Sequence, residues 1–177
     1  KPKPFERPVS RSIMTFALVT EQYWPKACSV LREEIYGEFK YHASLNESTT
    51  ILRNGWYTEN YLASVGSALQ LGAVFGSAGD GRIASAACVD YAEAAVAVLT
   101  QENQAGRIYE LAGDESYSLA EFAAEIALHS GKNIAYQNLP EADYKAALIG
   151  AGFPEGLATV LAESDVGASK GGLFDDS

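Results

Sequence analysis

Few residue types in this chain stand at spacings that could do chemistry. The histidines His42 and His129 and the cysteines Cys28 and Cys88 lie far apart, so no metal-ligand spacing is formed and no metal is expected. His129 falls near the end of a predicted helix, where an interaction with the last carbonyls is sufficient reason for it. Tyr36 and Lys40 have Tyr-x-x-x-Lys spacing. One helical turn would put the phenol and the ammonium on one face, where the cation lowers the phenol pKa. So short a motif also arises by chance, and a solvated helix face is the stronger reading. Glu33-Glu34 and Asp175-Asp176 are adjacent pairs, whose side chains diverge on a helix and make no acid/base couple. The glycine-containing run Gly76-Ser77-Ala78-Gly79-Asp80-Gly81-Arg82 could bring backbone amides to a phosphate. It joins two predicted strands rather than a strand and a helix, so a β-turn is the stronger reading. Arg82, directly after it, keeps a cofactor-facing role open. Neither a G-x-S-x-G elbow nor a Walker loop is present.

The elements that would position these groups become regular from Thr49 onward. Thr49–Leu52 reads as a short buried strand stopped by Arg53-Asn54-Gly55. Trp56, Tyr57, Tyr61, Leu62, Val65 and Leu69 then recur at helical spacing up to Leu71. Strands are expected at Ala73–Ser77 and Arg82–Cys88, separated by an Asp80-Gly81 turn. Asp90 and Glu93 form a capping-box-like start for a helix over Tyr91–Gln101. A strand at Arg107–Ala112 follows. Ser118 and Glu121 then cap a helix running to Ser130, with Gly131 as its left-handed stop. Asn133–Leu139 is a strand, and Pro140 and Pro154 open helices to about Ile149 and Glu163. The alternation of strand and helix predicts an α/β domain. Residues 1–48 carry three prolines in the first eight positions, a predicted helix at Ser29–Tyr41 and a single glycine, Gly37, and form no assigned architecture.

The bulk numbers narrow the function classes. The 177 residues suffice for one domain with a real core. The net charge of −10, with basic residues scattered, opposes a nucleic-acid partner. No apolar run reaches the ~20 residues of a membrane span. The opening Lys-Pro-Lys-Pro has no apolar core, so a signal peptide is not expected there. A cytoplasmic protein is therefore expected, with reduced thiols and Cys88 buried among small residues.

From residue 51 the wording of the chain is specific. Leu52-Arg53-Asn54-Gly55-Trp56-Tyr57-Thr58-Glu59-Asn60-Tyr61, Ala78-Gly79-Asp80-Gly81-Arg82-Ile83-Ala84-Ser85, Tyr109–Asp114, Tyr136–Leu139 and Ser164–Ser177 occur in this order. Together they resemble the NmrA-like atypical short-chain dehydrogenases, over about residues 49–177. The resemblance implies the carboxyl-terminal part of a Rossmann-like fold, with a smaller α/β substrate lobe and an incomplete parallel sheet. It implies NADPH as cofactor and hydride transfer to a quinone without flavin. Another conjugated aromatic acceptor, such as a triphenylmethane dye, is a close variant. The loop Asn54-Gly55-Trp56-Tyr57-Thr58-Glu59 is expected to line the nicotinamide side, and Arg82 to reach the cofactor. For Trp56 and Tyr57, packing under the helix is the competing role. An alternative from another class is a dinucleotide-sensing regulator without turnover.

Members of this family open with a strand and a Thr-Gly-Ala-Thr-Gly-x-x-Gly-type turn that holds the pyrophosphate, followed by a basic residue that selects the 2′-phosphate. Residues 1–48 contain neither and do not resemble that part of the family. The sequence therefore leads us to expect a partial chain, ending in Asp-Asp-Ser where the family continues into a last helix. Such a chain is expected, on its own, to bind NADPH poorly and to catalyse little.

Overall fold

The structure is a computed structural model, and it describes the backbone of residues 13–17 and the whole of residues 50–174. The Tyr36/Lys40 pair, the Ser29–Tyr41 helix, Cys28, His42 and Asp175-Asp176 lie outside the described residues.

Strand β2 (Thr50–Asn54) carries a run of apolar and small polar residues that is buried except at Arg53. It sits between β1 (Ile13–Ala17) and β4 (Ile108–Leu111), parallel to both. Burial on both faces is what a parallel strand requires. The one charged side chain in β2, Arg53, is matched in register with Glu110 of β4, and its guanidinium donates to that carboxylate at 2.6 Å. This pairing carries β2 to Asn54, beyond the expected stop at Arg53. The Gly55 amide extends the ladder by donating to the Leu111 carbonyl at 2.6 Å.

The predicted helix over Trp56–Leu71 is two helices, α1 (Thr58–Leu62) and α2 (Val65–Leu71). Ser64 separates them. Its hydroxyl donates to the Tyr61 carbonyl at 2.7 Å, a local bond that competes with helix continuation. Helix α2 ends at Gly72 (φ 73°), and β3 (Ala73–Gly76) follows. The predicted strand Arg82–Cys88 is absent. Its amides disperse instead: Ile83 donates to Tyr117, Ala84 to Leu173, and Ala86 to Trp56. With three different partner segments, only isolated bridges form.

Helix α3 spans Cys88–Thr100 and starts three residues earlier than Asp90/Glu93 predicted. Asp90 lies inside its first turn and reaches back to the Ala87 amide at 3.1 Å. Cys88, its first residue, is an exposed free thiol rather than a buried one. Helix α4 (Leu119–Ser130) has the expected reciprocal cap. The Ser118 hydroxyl accepts from the Glu121 amide at 3.2 Å, and Glu121 accepts from the Ser118 amide at 2.7 Å. Gly131 closes α4 at φ 68°. Strand β5 (Ala135–Asn138) pairs parallel with β3 in a second, two-stranded sheet. Helices α5 (Glu141–Gly150) and α6 (Glu155–Ala168) follow Pro140 and Pro154, which stand just before the first helical residue.

The principal core gathers Trp56, Tyr61, Ala78, Ile83, Leu119, Ala168 and Leu173. A second cluster, Ala68, Val74, Ala123 and Ile134, lies under α2 and α4. Phe122 and Tyr136 pack against both. Full burial of one side chain such as Leu119 stabilises by roughly 1.5–3 kcal/mol. The architecture is α/β with short parallel sheets. Among the described residues, no helix is long and apolar enough to cross a membrane.

Candidate functional site at the end of the central strand

In an open parallel sheet, ligands bind beyond the carboxyl ends of the strands. Residues Asn54–Glu59 leave β2 at that end. Asn54 is 1% exposed, and its Nδ2 donates to the Tyr57 hydroxyl oxygen at 3.0 Å. Its Oδ1 is buried without a hydrogen-bond partner. A buried amide oxygen left without a partner costs free energy in the resting protein.

Gly55 is required by a close approach. A Cβ there would stand 2.9 Å from the Leu111 carbonyl and 3.3 Å from the Tyr91 hydroxyl. Tyr57 is half-buried and packs edge-on against Tyr91, ring centres 5.0 Å apart. Tyr91 donates in turn to the Trp56 carbonyl at 3.1 Å, and burial pushes its phenol up to about 12. Trp56 is a core residue, so packing accounts for its indole body, although its Nε1 is also buried without a partner.

Thr58 and Glu59 tie the loop to the segment before α3. The Thr58 and Ser85 hydroxyls are 2.8 Å apart, and Ser85 and Tyr117 likewise. The Glu59 carboxylate accepts from the Cys88 amide at 2.9 and 3.1 Å. It thus occupies the positive amino end of α3, and the Cys88 amide bond lowers its pKa. Desolvation first, and then the Glu59 carboxylate, push the Cys88 thiol up. That is the wrong direction for a reactive thiolate.

Arg82 is drawn elsewhere. Its guanidinium donates to Glu121 at 2.7 Å and to the hydroxyl and carbonyl of Ser116, bracing the start of α4. The Ser118 amide first, and Arg82 second, lower the Glu121 pKa. The structure thus brings Asn54, Gly55, Trp56, Tyr57, Thr58 and Glu59 together around Ser85, Tyr91 and Tyr117, while the Arg82 hydrogen bonds run to α4.

The glycine run after β3 is a turn, with the Gly81 amide bonded to the Ala78 carbonyl at 2.9 Å. Its three leading amides are already partnered. Ser77 donates to Asp165, Ala78 to the Tyr136 hydroxyl, and Gly79 to Asn138, at 2.8, 3.0 and 2.9 Å. The phosphate-cradle alternative therefore finds these amides occupied. Asp165, which the spacing of the sequence did not single out, is 2% exposed and also accepts from Tyr61 at 2.9 Å. Burial raises its carboxyl to about 6. No local pattern marks Asp165; only the packing of α6 against the end of β3 does.

Searched against protein-family models, the chain finds no match. It is 59% identical over 128 residues to quinone oxidoreductase 2 of Escherichia coli, which is 72% of this chain and 45% of that protein. It thus spans less than half the length of that relative. A Haemophilus influenzae protein described as uncharacterized is 31% identical over 122 residues, covering 69% of this chain and 70% of that protein. In structure, the chain matches the NADPH-dependent quinone oxidoreductase of Escherichia coli complexed with NADPH. The TM-score is 0.83 at 50% identity, over 93% of this chain and 57% of the other. This degree of shared sequence and backbone, on top of a loop organised at the end of the central parallel strand, places the chain in the NmrA-like family of atypical short-chain dehydrogenases, with a Rossmann-like fold.

Proposed function

We propose that the described region forms the nicotinamide and acceptor side of an NADPH-dependent quinone reductase, with loop Asn54–Glu59 as the lining. The observation that carries this is the 59% identity to Escherichia coli quinone oxidoreductase 2, joined to a buried, unpartnered amide oxygen on Asn54 at the strand end. The donor set fits one end of the cofactor. The half-buried Tyr57 ring, braced edge-on by the buried Tyr91, gives an aromatic face against which a flat ring can lie. When bound, the dihydronicotinamide supplies a hydride, and a quinone or similar conjugated small molecule accepts it.

The chain's own residues do the positioning. Glu59, Thr58 and Ser85 pin the loop to α3, and Gly55 holds it against the end of β4. The pyrophosphate finds less here, because the amides of the β3 turn and the Arg82 guanidinium already have partners. A role for Arg82 at the cofactor requires it to leave Glu121. Arg82→Ala, followed by titration calorimetry with NADPH, decides that role, and an unchanged dissociation constant removes Arg82 from the site.

The functional test is NADPH oxidation at 340 nm by the purified chain, at millimolar NADPH with 1,4-naphthoquinone. Quinone-dependent oxidation above the protein-free rate is expected. Cofactor binding without turnover would instead favour a sensing role.

A further inference from the structure

We infer that the Tyr57 hydroxyl is the proton donor to the reduced acceptor, held for that role by Asn54; the inference rests on the quinone reductase reading of this site. A phenol oxygen that accepts a hydrogen bond keeps its own O–H free to donate elsewhere. Asn54 Nδ2 gives Tyr57 that bond at 3.0 Å. The same bond fixes where the Tyr57 hydroxyl stands. Tyr91 and Tyr117 cannot serve equally. The Tyr91 proton is engaged with the Trp56 carbonyl, and Tyr117 shares a hydroxyl pair with Ser85. Burial raises the pKa of both. Tyr57 is half-buried and stands at the ligand-binding end of a parallel strand. The unpartnered Asn54 Oδ1 beside it is a second sign of a site built for a ligand rather than for packing.

Reduction of a quinone to a hydroquinone takes up one hydride and one proton. The Tyr57 O–H bond breaks, and the proton goes to the quinone oxygen that becomes negative on two-electron reduction. The phenolate left on Tyr57 recovers a proton from water. The balance is quinone + NADPH + H⁺ → hydroquinone + NADP⁺. Asn54 acts through Tyr57 and is a positioning residue.

The test uses the 177-residue chain, Tyr57→Phe, Asn54→Ala and the double variant, each checked for folding by circular dichroism. Tyr57→Phe is expected to lower kcat with 1,4-naphthoquinone at least tenfold, to abolish the solvent deuterium isotope effect, and to leave the NADPH dissociation constant within twofold. Asn54→Ala should lower kcat as well, with a smaller further loss when Tyr57→Phe is added than Tyr57→Phe causes alone. A readout independent of turnover is the ζ-carbon NMR signal of ¹³C-labelled Tyr57, assigned by its loss in Tyr57→Phe, which should move on addition of naphthoquinone. Unchanged kcat in Tyr57→Phe, or a Tyr57 signal unmoved by quinone, overturns the inference and leaves the reductase reading standing. No quinone-dependent NADPH oxidation by the unaltered chain overturns that reading and this inference with it.

Discussion

Asp165 shows how one buried carboxylate can hold three elements. Its two oxygens accept from Tyr61 on α1 and from the Ser77 amide after β3, and its backbone belongs to α6. The Tyr136 and Tyr144 hydroxyls also feel its charge, and burial first and that charge second raise both phenols. Burial raises the carboxyl from 3.8 to about 6, so the native state binds this proton more tightly than the unfolded chain. The stability it contributes is present in full below about pH 4 and is lost as pH rises through about 6. At 1.36 kcal/mol per pKa unit, the swing is roughly 2–3 kcal/mol. Urea unfolding of the chain and of Asp165→Asn at pH 4 and 7.5 checks it. The stability difference between the two proteins should shift by that amount in favour of the variant at the higher pH. A difference independent of pH would show that Asp165 titrates alike in both states.

At the scale of elements, the ends of helices decide where residues stand. Helix α4 carries its own reciprocal cap in Ser118 and Glu121, whereas α3 starts after Ala87, whose side chain cannot cap. That helix takes its acceptors from Glu59 in the first turn of α1 and from Asp90 within. The candidate site is thereby tied to α3 by the same bonds that start the helix. Ser118→Ala removes the hydroxyl that accepts from Glu121 and should cost about 1 kcal/mol, within a range of roughly 0.5–2. Thermal unfolding by circular dichroism measures it, and an unchanged midpoint would mean that the Glu121 side chain and water suffice. Glycine enters where backbones meet closely: a Cβ on Gly76 would stand 2.6 Å from Asp165 Oδ2 and 2.7 Å from Leu119 Cδ1, so that position joins the β3 end to the core.

For the whole molecule, charge and anion sites set the binding behaviour. With a net charge of −10, the chain should give no sequence-dependent shift of duplex DNA at ~0.15 M salt, and a gel shift at low protein concentration would overturn this. NADPH should bind weakly to this chain, because the Ser77, Ala78 and Gly79 amides after β3 are spent on side chains. The contacts left at the nicotinamide end are few, and single charge-assisted bonds contribute only about 1.5–3 kcal/mol each. A dissociation constant well above the micromolar range is therefore expected in fluorescence titration. Micromolar, saturable binding would show a phosphate site outside the groups named above. The division at residues 48/49, with a substrate lobe in the later part, stays a proposal; limited proteolysis followed by mass determination tests it.

Much was legible in the sequence because it is encoded locally. The Ser118/Glu121 cap, the Gly131 stop, the prolines before α5 and α6 and the α/β alternation each depend on residues a few positions apart. The proposal that Asn54–Glu59 lines the site came from resemblance, carried by a long ordered string of residues. Other features needed the folded chain, because their partners are remote in sequence. Arg82 looked free for a cofactor until α4 brought Glu121 to it. The segment Arg82–Cys88 had strand-like alternation, yet its amides are claimed by Tyr117, Leu173 and Trp56, so no ladder can form. Cys88 was placed in the interior by its small neighbours, but the start of α3 puts it at the surface. The Asn54–Tyr57 hydrogen bond and the burial of Asp165 likewise belong to tertiary structure. They follow from where the end of β2 and the body of α6 come to rest, and no spacing in the sequence records it.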